Sequence, residues 1–111
     1  MRSLDLSRNR LTNFSPPDIF PGLQQLNLSS CSLSRPSALS FNNLSRLASL
    51  DLSNNRLQSV PTSQLAGLTG LRCLVLSGNL FSSLGPHSFR ELHKLQQLYL
   101  TNCSQLRYFP G

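Results

Sequence analysis

Any chemistry in this sequence would have to come from two histidines, four carboxylates and three cysteines. His87-Ser88-Phe89-Arg90-Glu91-Leu92-His93 sets a glutamate between the two imidazoles. The helical zinc-hydrolase motif places its histidines four apart on one face, and here they stand six apart. They read as surface histidines. No glycine-rich phosphate loop is present, and three cysteines is an odd number for a self-contained disulfide framework. A caged metal would need three or four converging ligands, and none converge. No catalytic residue, metal site or cofactor is expected, and an enzyme is the least favoured reading.

The elements that position these residues follow from an internal repeat. Leu23-x-x-Leu26-x-Leu28-x-x-Cys31-x-Leu33 returns 24 residues later as Leu47-x-x-Leu50-x-Leu52-x-x-Asn55-x-Leu57. It returns again as Leu71-x-x-Leu74-x-Leu76-x-x-Asn79-x-Phe81, and then as Leu95-x-x-Leu98-x-Leu100-x-x-Cys103. A first copy, Met1-x-x-Leu4-x-Leu6-x-x-Asn9-x-Leu11, precedes them by 22 residues. Leu-x-Leu is the alternation of a short strand with one buried face. The spacing predicts five parallel strands, near residues 3–7, 25–29, 49–53, 73–77 and 97–101. Each coil buries its leucines against the next, so one repeat has no core of its own. Phe41-x-x-Leu44, Leu65-x-x-Leu68 and Phe89-x-x-Leu92 have the spacing of 3₁₀ or helical turns on the return side. Pro61, Pro86 and Pro110 discourage strand pairing beyond each inner turn.

The column Asn9, Cys31, Asn55, Asn79 and Cys103 follows the strands, where turning backbone leaves polar groups unpaired. An Asn side chain both donates and accepts; a thiol is a weaker donor that tolerates a dry interior. Asn55 and Asn79 are expected to be buried, and Asn55→Leu to cost about 1–3 kcal/mol. Asp5 and Asp51 fall two repeats apart, about 10 Å by strand spacing, with no His or nucleophile in their column. Cys31 and Cys103 lie three repeats apart, roughly 14 Å, too far for a disulfide. Cys73 stands at an outward strand position.

This pattern resembles the leucine-rich-repeat family over the whole chain. The 24-residue length, with Pro and Phe in the return, resembles its extracellular subclass, seen in Toll-like receptors, small leucine-rich proteoglycans and neuronal adhesion proteins. The resemblance implies an α/β solenoid, a right-handed superhelix with strands on the concave face and loops or short 3₁₀ turns on the convex face. Right-handedness also follows from the rule for parallel crossovers. It further implies that the asparagine ladder accepts Cys. The expected organisation is one domain, residues 1–111, with repeats at about 1–22, 23–46, 47–70, 71–94 and a partial 95–111. Neither end shows a cap, which makes a piece of a longer chain the expectation.

Composition narrows the function. Hydrophobic residues make up 39% and charged residues 13%, which excludes a disordered tail. No apolar run approaches the ~18 residues of a membrane span, and no membrane contact is expected within this segment. The formal charge of +6 raises nucleic acid or a sulfated polysaccharide as partner. The arginines read as dispersed, and they are not interleaved with the stacking aromatics a single-strand binder uses, so nucleic acid is disfavoured.

With the leucines committed to the core, recognition falls to the concave strand face. Its candidates are Asp5, Arg8, Gln25, Asn27, Asp51, Asn54, Val75, Gln97 and Tyr99, with Ser53 also read as outward. Tyr99 is the strongest anchor, since tyrosine is enriched at interface hot spots. Asn13, Asn27, Asn43 and Asn102 open Asn-x-Ser sequons. The preferred function is a non-catalytic protein-recognition module of an extracellular or cell-surface receptor or adhesion protein. The alternatives are a structural matrix protein contacting collagen or glycans, and a cytoplasmic scaffold if Met1 is the true start.

Overall fold

The computed structural model describes residues 2–11, 22–35, 39–41, 44–81, 89 and 92–101. Its elements, in chain order, are β1 (Ser3–Asp5), β2 (Gln25–Asn27), β3 (Ser49–Asp51), α1 (Thr62–Leu65), β4 (Cys73–Val75) and β5 (Gln97–Tyr99). The strands form one parallel sheet in the order β1-β2-β3-β4-β5, so every coil pairs only with its neighbours in sequence. The register is in phase throughout: Leu4 pairs with Leu26, Leu26 with Leu50, Leu50 with Leu74 and Leu74 with Leu98. This is the α/β solenoid that the repeat implies.

Each strand's central leucine turns inward. Leu26, Leu50 and Leu74 are buried, whereas Leu4 and Leu98 at the two ends of the sheet are half-buried. Behind them Leu28, Leu52 and Leu76, then Leu33, Leu57 and Phe81, fill a single continuous core. Burying such side chains stabilises by about 1.5–3 kcal/mol each.

On the return side, the three-residue spacing has a direct cause. The Leu44, Leu68 and Leu92 amides donate to the carbonyls of Phe41, Leu65 and Phe89 at 3.3, 2.9 and 3.1 Å. These are bonds of the 3₁₀ type, between residues three apart. Among the described residues only the third repeat extends the turn into a helix, α1, where buried Pro61 offers its carbonyl to the Leu65 amide at 2.9 Å.

The strands are shorter than the alternation predicts, three residues rather than five. At the first three a side chain closes the end, while β4 and β5 stop at the same point with Val75 and Tyr99 there. Asp5, Asn27 and Asp51 each use Oδ1 to accept the backbone amide two residues on, from Ser7, Ser29 and Ser53, all at 2.9 Å. Such local bonds compete with the sheet ladder and curl the chain out of it. One residue later the backbone goes left-handed, at Arg8 (φ 63°), Ser30 (55°), Asn54 (55°) and Gly78 (72°).

Gly78 is the one glycine in that column, and a Cβ there would run into the Asn54 amide oxygen, with the Asn54 Cα at 3.3 Å. Gly78→Ala should therefore destabilise by about 1–2 kcal/mol, the cost of a left-handed L-residue. Urea denaturation checks this. Ser30→Gly, in the same column, should be neutral or stabilising, and an Ala at 78 as stable as Gly would refute the steric argument.

Candidate recognition surface

The site is built from the strand residues that flank the inward leucines. One column runs Ser3, Gln25, Ser49, Cys73, Gln97; the other runs Asp5, Asn27, Asp51, Val75, Tyr99. Five strands spaced about 4.8 Å apart span about 20 Å. The surface has two halves. Across the first three strands, Ser3, Asp5, Gln25, Asn27, Ser49 and Asp51 line a shallow depression of about 310 Å³. Across the last two, Val75 and Tyr99 pair in register and replace the carboxylates with apolar bulk. Tyr99 is 44% exposed, one of two large hydrophobic side chains open to solvent among the described residues. Arg8 and Asn54 are exposed at the left-handed turns beyond the strands, and Gln25 and Gln97 are exposed within them.

The polar half has a double task. Asp5, Asn27 and Asp51 close their own turns before they meet any ligand. The Asp5 carboxyl lies below its ordinary value, held there first by the Ser7 hydroxyl and then by the Ser7 amide, with a smaller contribution from Arg8. Ser53, expected to face outward, is instead buried, because its hydroxyl turns back to Asp51 Oδ1 at 2.6 Å. Where the Val75 side chain can accept nothing, the Ser77 hydroxyl accepts bonds from the next coil, from the Thr101 amide at 3.1 Å and the Thr101 hydroxyl at 2.9 Å.

Beneath the turns, Asn55 and Asn79 are buried. Asn55 Oδ1 accepts the Cys31 and Leu33 amides at 2.9 and 3.1 Å, and its Nδ2 donates to the Leu28, Leu52 and Ser53 carbonyls. Asn79 likewise accepts the Leu57 amide at 3.1 Å and donates to the Leu52 and Leu76 carbonyls at 2.9 Å. Asn9 is exposed and donates only within its own coil, to the Leu6 and Ser7 carbonyls.

Cys31 solves the same problem differently. Its buried thiol still donates, to the Leu6 carbonyl at 3.1 Å, but a thiol is too poor an acceptor to replace the amide oxygen. The Leu11 amide, counterpart of Leu33 and Leu57, therefore bonds the Cys31 carbonyl at 3.0 Å. The chain pays with a second left-handed residue, Ser32 at φ 59°. Cys73 is half-buried on the strand face. Cys103, Asn13, Asn43, Asn102 and His87 lie outside the described residues; His93 is exposed. Among the described residues no three His, Cys, Asp or Glu side chains gather as a metal site.

Asn27 sits mid-sheet, half-buried, with its Oδ1 engaged by Ser29. Glycosylation favours accessible loops, so in a secreted chain Asn27 should be poorly occupied. Glycopeptide mapping reads this directly, and full occupancy at Asn27 would place a glycan in the middle of the surface.

Comparison with known proteins agrees with this geometry. The family profile described as Leucine rich repeat matches residues 21–81 and 45–104, and a second profile of the same description matches residues 1–21. The chain belongs to the leucine-rich-repeat family. It is 39% identical to mouse platelet glycoprotein Ib alpha chain over 101 residues, covering 89% of this chain and 13% of the relative. It is 38% identical to chicken Tsukushi over 110 residues, covering 95% of this chain and 28% of that protein. Among solved structures, the Toll - Spatzle complex of Drosophila contains a chain that superposes with a TM-score of 0.79 at 29% identity, covering 90% of this chain and 14% of that one. These relatives stand in the extracellular branch of the family, and the chain spans less than a third of each of the three.

Proposed function

We propose that the strand face is a protein-recognition surface, and that the chain acts without catalysis as part of an extracellular or cell-surface protein. The supporting observation is the exposed Tyr99 beside Val75, at the end of a face otherwise lined by short polar side chains. An aromatic with an adjoining aliphatic gives a partner a desolvated anchor. The polar depression over Asp5, Asn27 and Asp51 then sets orientation through hydrogen bonds and charge. The complex of the Toll relative with Spatzle supports a protein as the ligand class. We also read residues 1–111 as one domain, within which a face about 20 Å long falls short of the roughly 800 Å² per partner of a standard interface.

The test is a binding screen of the purified chain against arrayed ectodomains and secreted proteins. Tyr99→Ala and Val75→Asp should weaken a captured partner at least about tenfold, as hot-spot residues do. Ser63→Ala on the return side should leave it unchanged. A partner sensitive to the return side and indifferent to Tyr99 would overturn the assignment.

A further inference from the structure

Three of the arginines, dispersed along the chain, come together in space. Arg10, Arg35 and Arg56 line one groove of about 610 Å³, together with Leu11, Ser32 and Ser34. Stacking explains the convergence. The three arginines are 25 and 21 residues apart, close to one repeat, so each successive coil lays its guanidinium beside the last. Arg10 and Arg56 occupy the same repeat position, directly after Asn9 and Asn55, and the coil between them carries Ser32 there. The left-handed turn that Cys31 imposes at Ser32 shapes the middle of the groove.

From this we propose that the groove binds a sulfated glycan chain. All three arginines and both serines are exposed, and among the described residues no carboxylate lines the groove. Among the described residues none of the three guanidiniums is engaged by a carboxylate. Guanidinium forks match the oxygens of a sulfate group, often two at a time, and hydroxyls add further donors. The groove crosses three coils, about 10 Å, which fits successive sulfates along a polymer better than a single small anion. Half-buried Leu11 gives a sugar ring an apolar surface to lie on. Single-stranded nucleic acid is disfavoured, since among the described residues no aromatic side chain lines the groove for a base to stack on. An acidic protein segment is disfavoured because among the described residues Leu11 is the one apolar side chain of the lining, too little for a buried anchor.

The site is separate from the strand face, since none of its lining residues belongs to a strand. The experiment measures binding of a heparin dodecasaccharide to the 111-residue chain by calorimetry at several salt concentrations. The variant R10Q/R35Q/R56Q should lose at least about tenfold in affinity and show a flatter salt dependence. The control R2Q/R46Q/R72Q removes the same charge from exposed arginines outside the groove and should bind within about twofold of the parent. Desulfated heparin should not bind, and inorganic sulfate should compete only weakly. Matching melting curves for parent and both variants would exclude unfolding as the cause. Equal losses in the two triple variants, or binding of polyglutamate or oligo-dT as tight as heparin, would overturn the proposal. So would the absence of heparin binding at physiological salt.

Discussion

Replacing Asn55 with leucine should remove about 3–5 kcal/mol of stability, more than the repeat pattern alone predicts. The substitution leaves the Cys31 and Leu33 amides and the Leu28 carbonyl without the partner that Asn55 supplies. Each stranded buried group costs about 1–3 kcal/mol, partly relieved by relaxation. A domain typically holds 5–15 kcal/mol in total, so the variant should be close to unfolding at room temperature. Asn9→Leu is the internal control. Asn9 is exposed and bonds only its own coil, so its loss should stay below about 0.5 kcal/mol. Urea unfolding of the three proteins separates these outcomes, and a cost under about 1 kcal/mol for Asn55→Leu would mean that water reaches the ladder.

A second large effect is expected in the core. Leu50→Ala should cost about 3–5 kcal/mol, the range for a buried leucine whose site cannot collapse. Leu50 is fully buried in the central strand, with Leu26 and Leu74 on either side. The same truncation at half-buried Leu4 or Leu98 should cost less than about 2 kcal/mol, because less apolar surface is lost. Stability across the five positions should thus peak in the middle of the stack. A repeat array couples only nearest neighbours, so weakening its centre also weakens cooperativity. The chain has no Trp and two Tyr, both in the last repeat, so tyrosine fluorescence reports that end alone. For Leu50→Ala it should unfold apart from the circular-dichroism signal of the whole stack. Coincident transitions with a small loss would refute this picture.

How far the sequence foretells the fold depends on which interaction decides each feature. The leucine register was legible because burial repeats every 24 residues and tolerates few other residue types. The return turns were legible too, since Phe41-x-x-Leu44 and its counterparts carry the period of their own hydrogen bonds. Strand ends were not. All five stop after three residues, at Val75 and Tyr99 as at Asp5, Asn27 and Asp51, and alternation does not encode that stop or the competition by which the last three bond the next serine but one. The same competition buries Ser53. At Cys31 the substitution was visible, but the left-handed Ser32 follows from which backbone carbonyl replaces the missing amide oxygen. The arginine groove escaped a reading along the chain because its residues are neighbours only once the coils stack. A helical-wheel view of the repeat, with Arg10 and Arg56 in one column, would have exposed it.

The hydrogen bonds between coils have a mechanical consequence. The side-chain bonds of Asn55 and Asn79 to other coils span 22 to 27 residues, one coil to the next and no further. Among the described residues a tensile load would therefore meet no asparagine tie that bridges several coils at once. The chain should yield by unspooling from an end, one coil at a time. Each released coil of 24 residues adds about 80 Å of extended length. Such a molecule lengthens in small, even steps under pull instead of failing in a single rupture, a property suited to a chain held between two anchored surfaces.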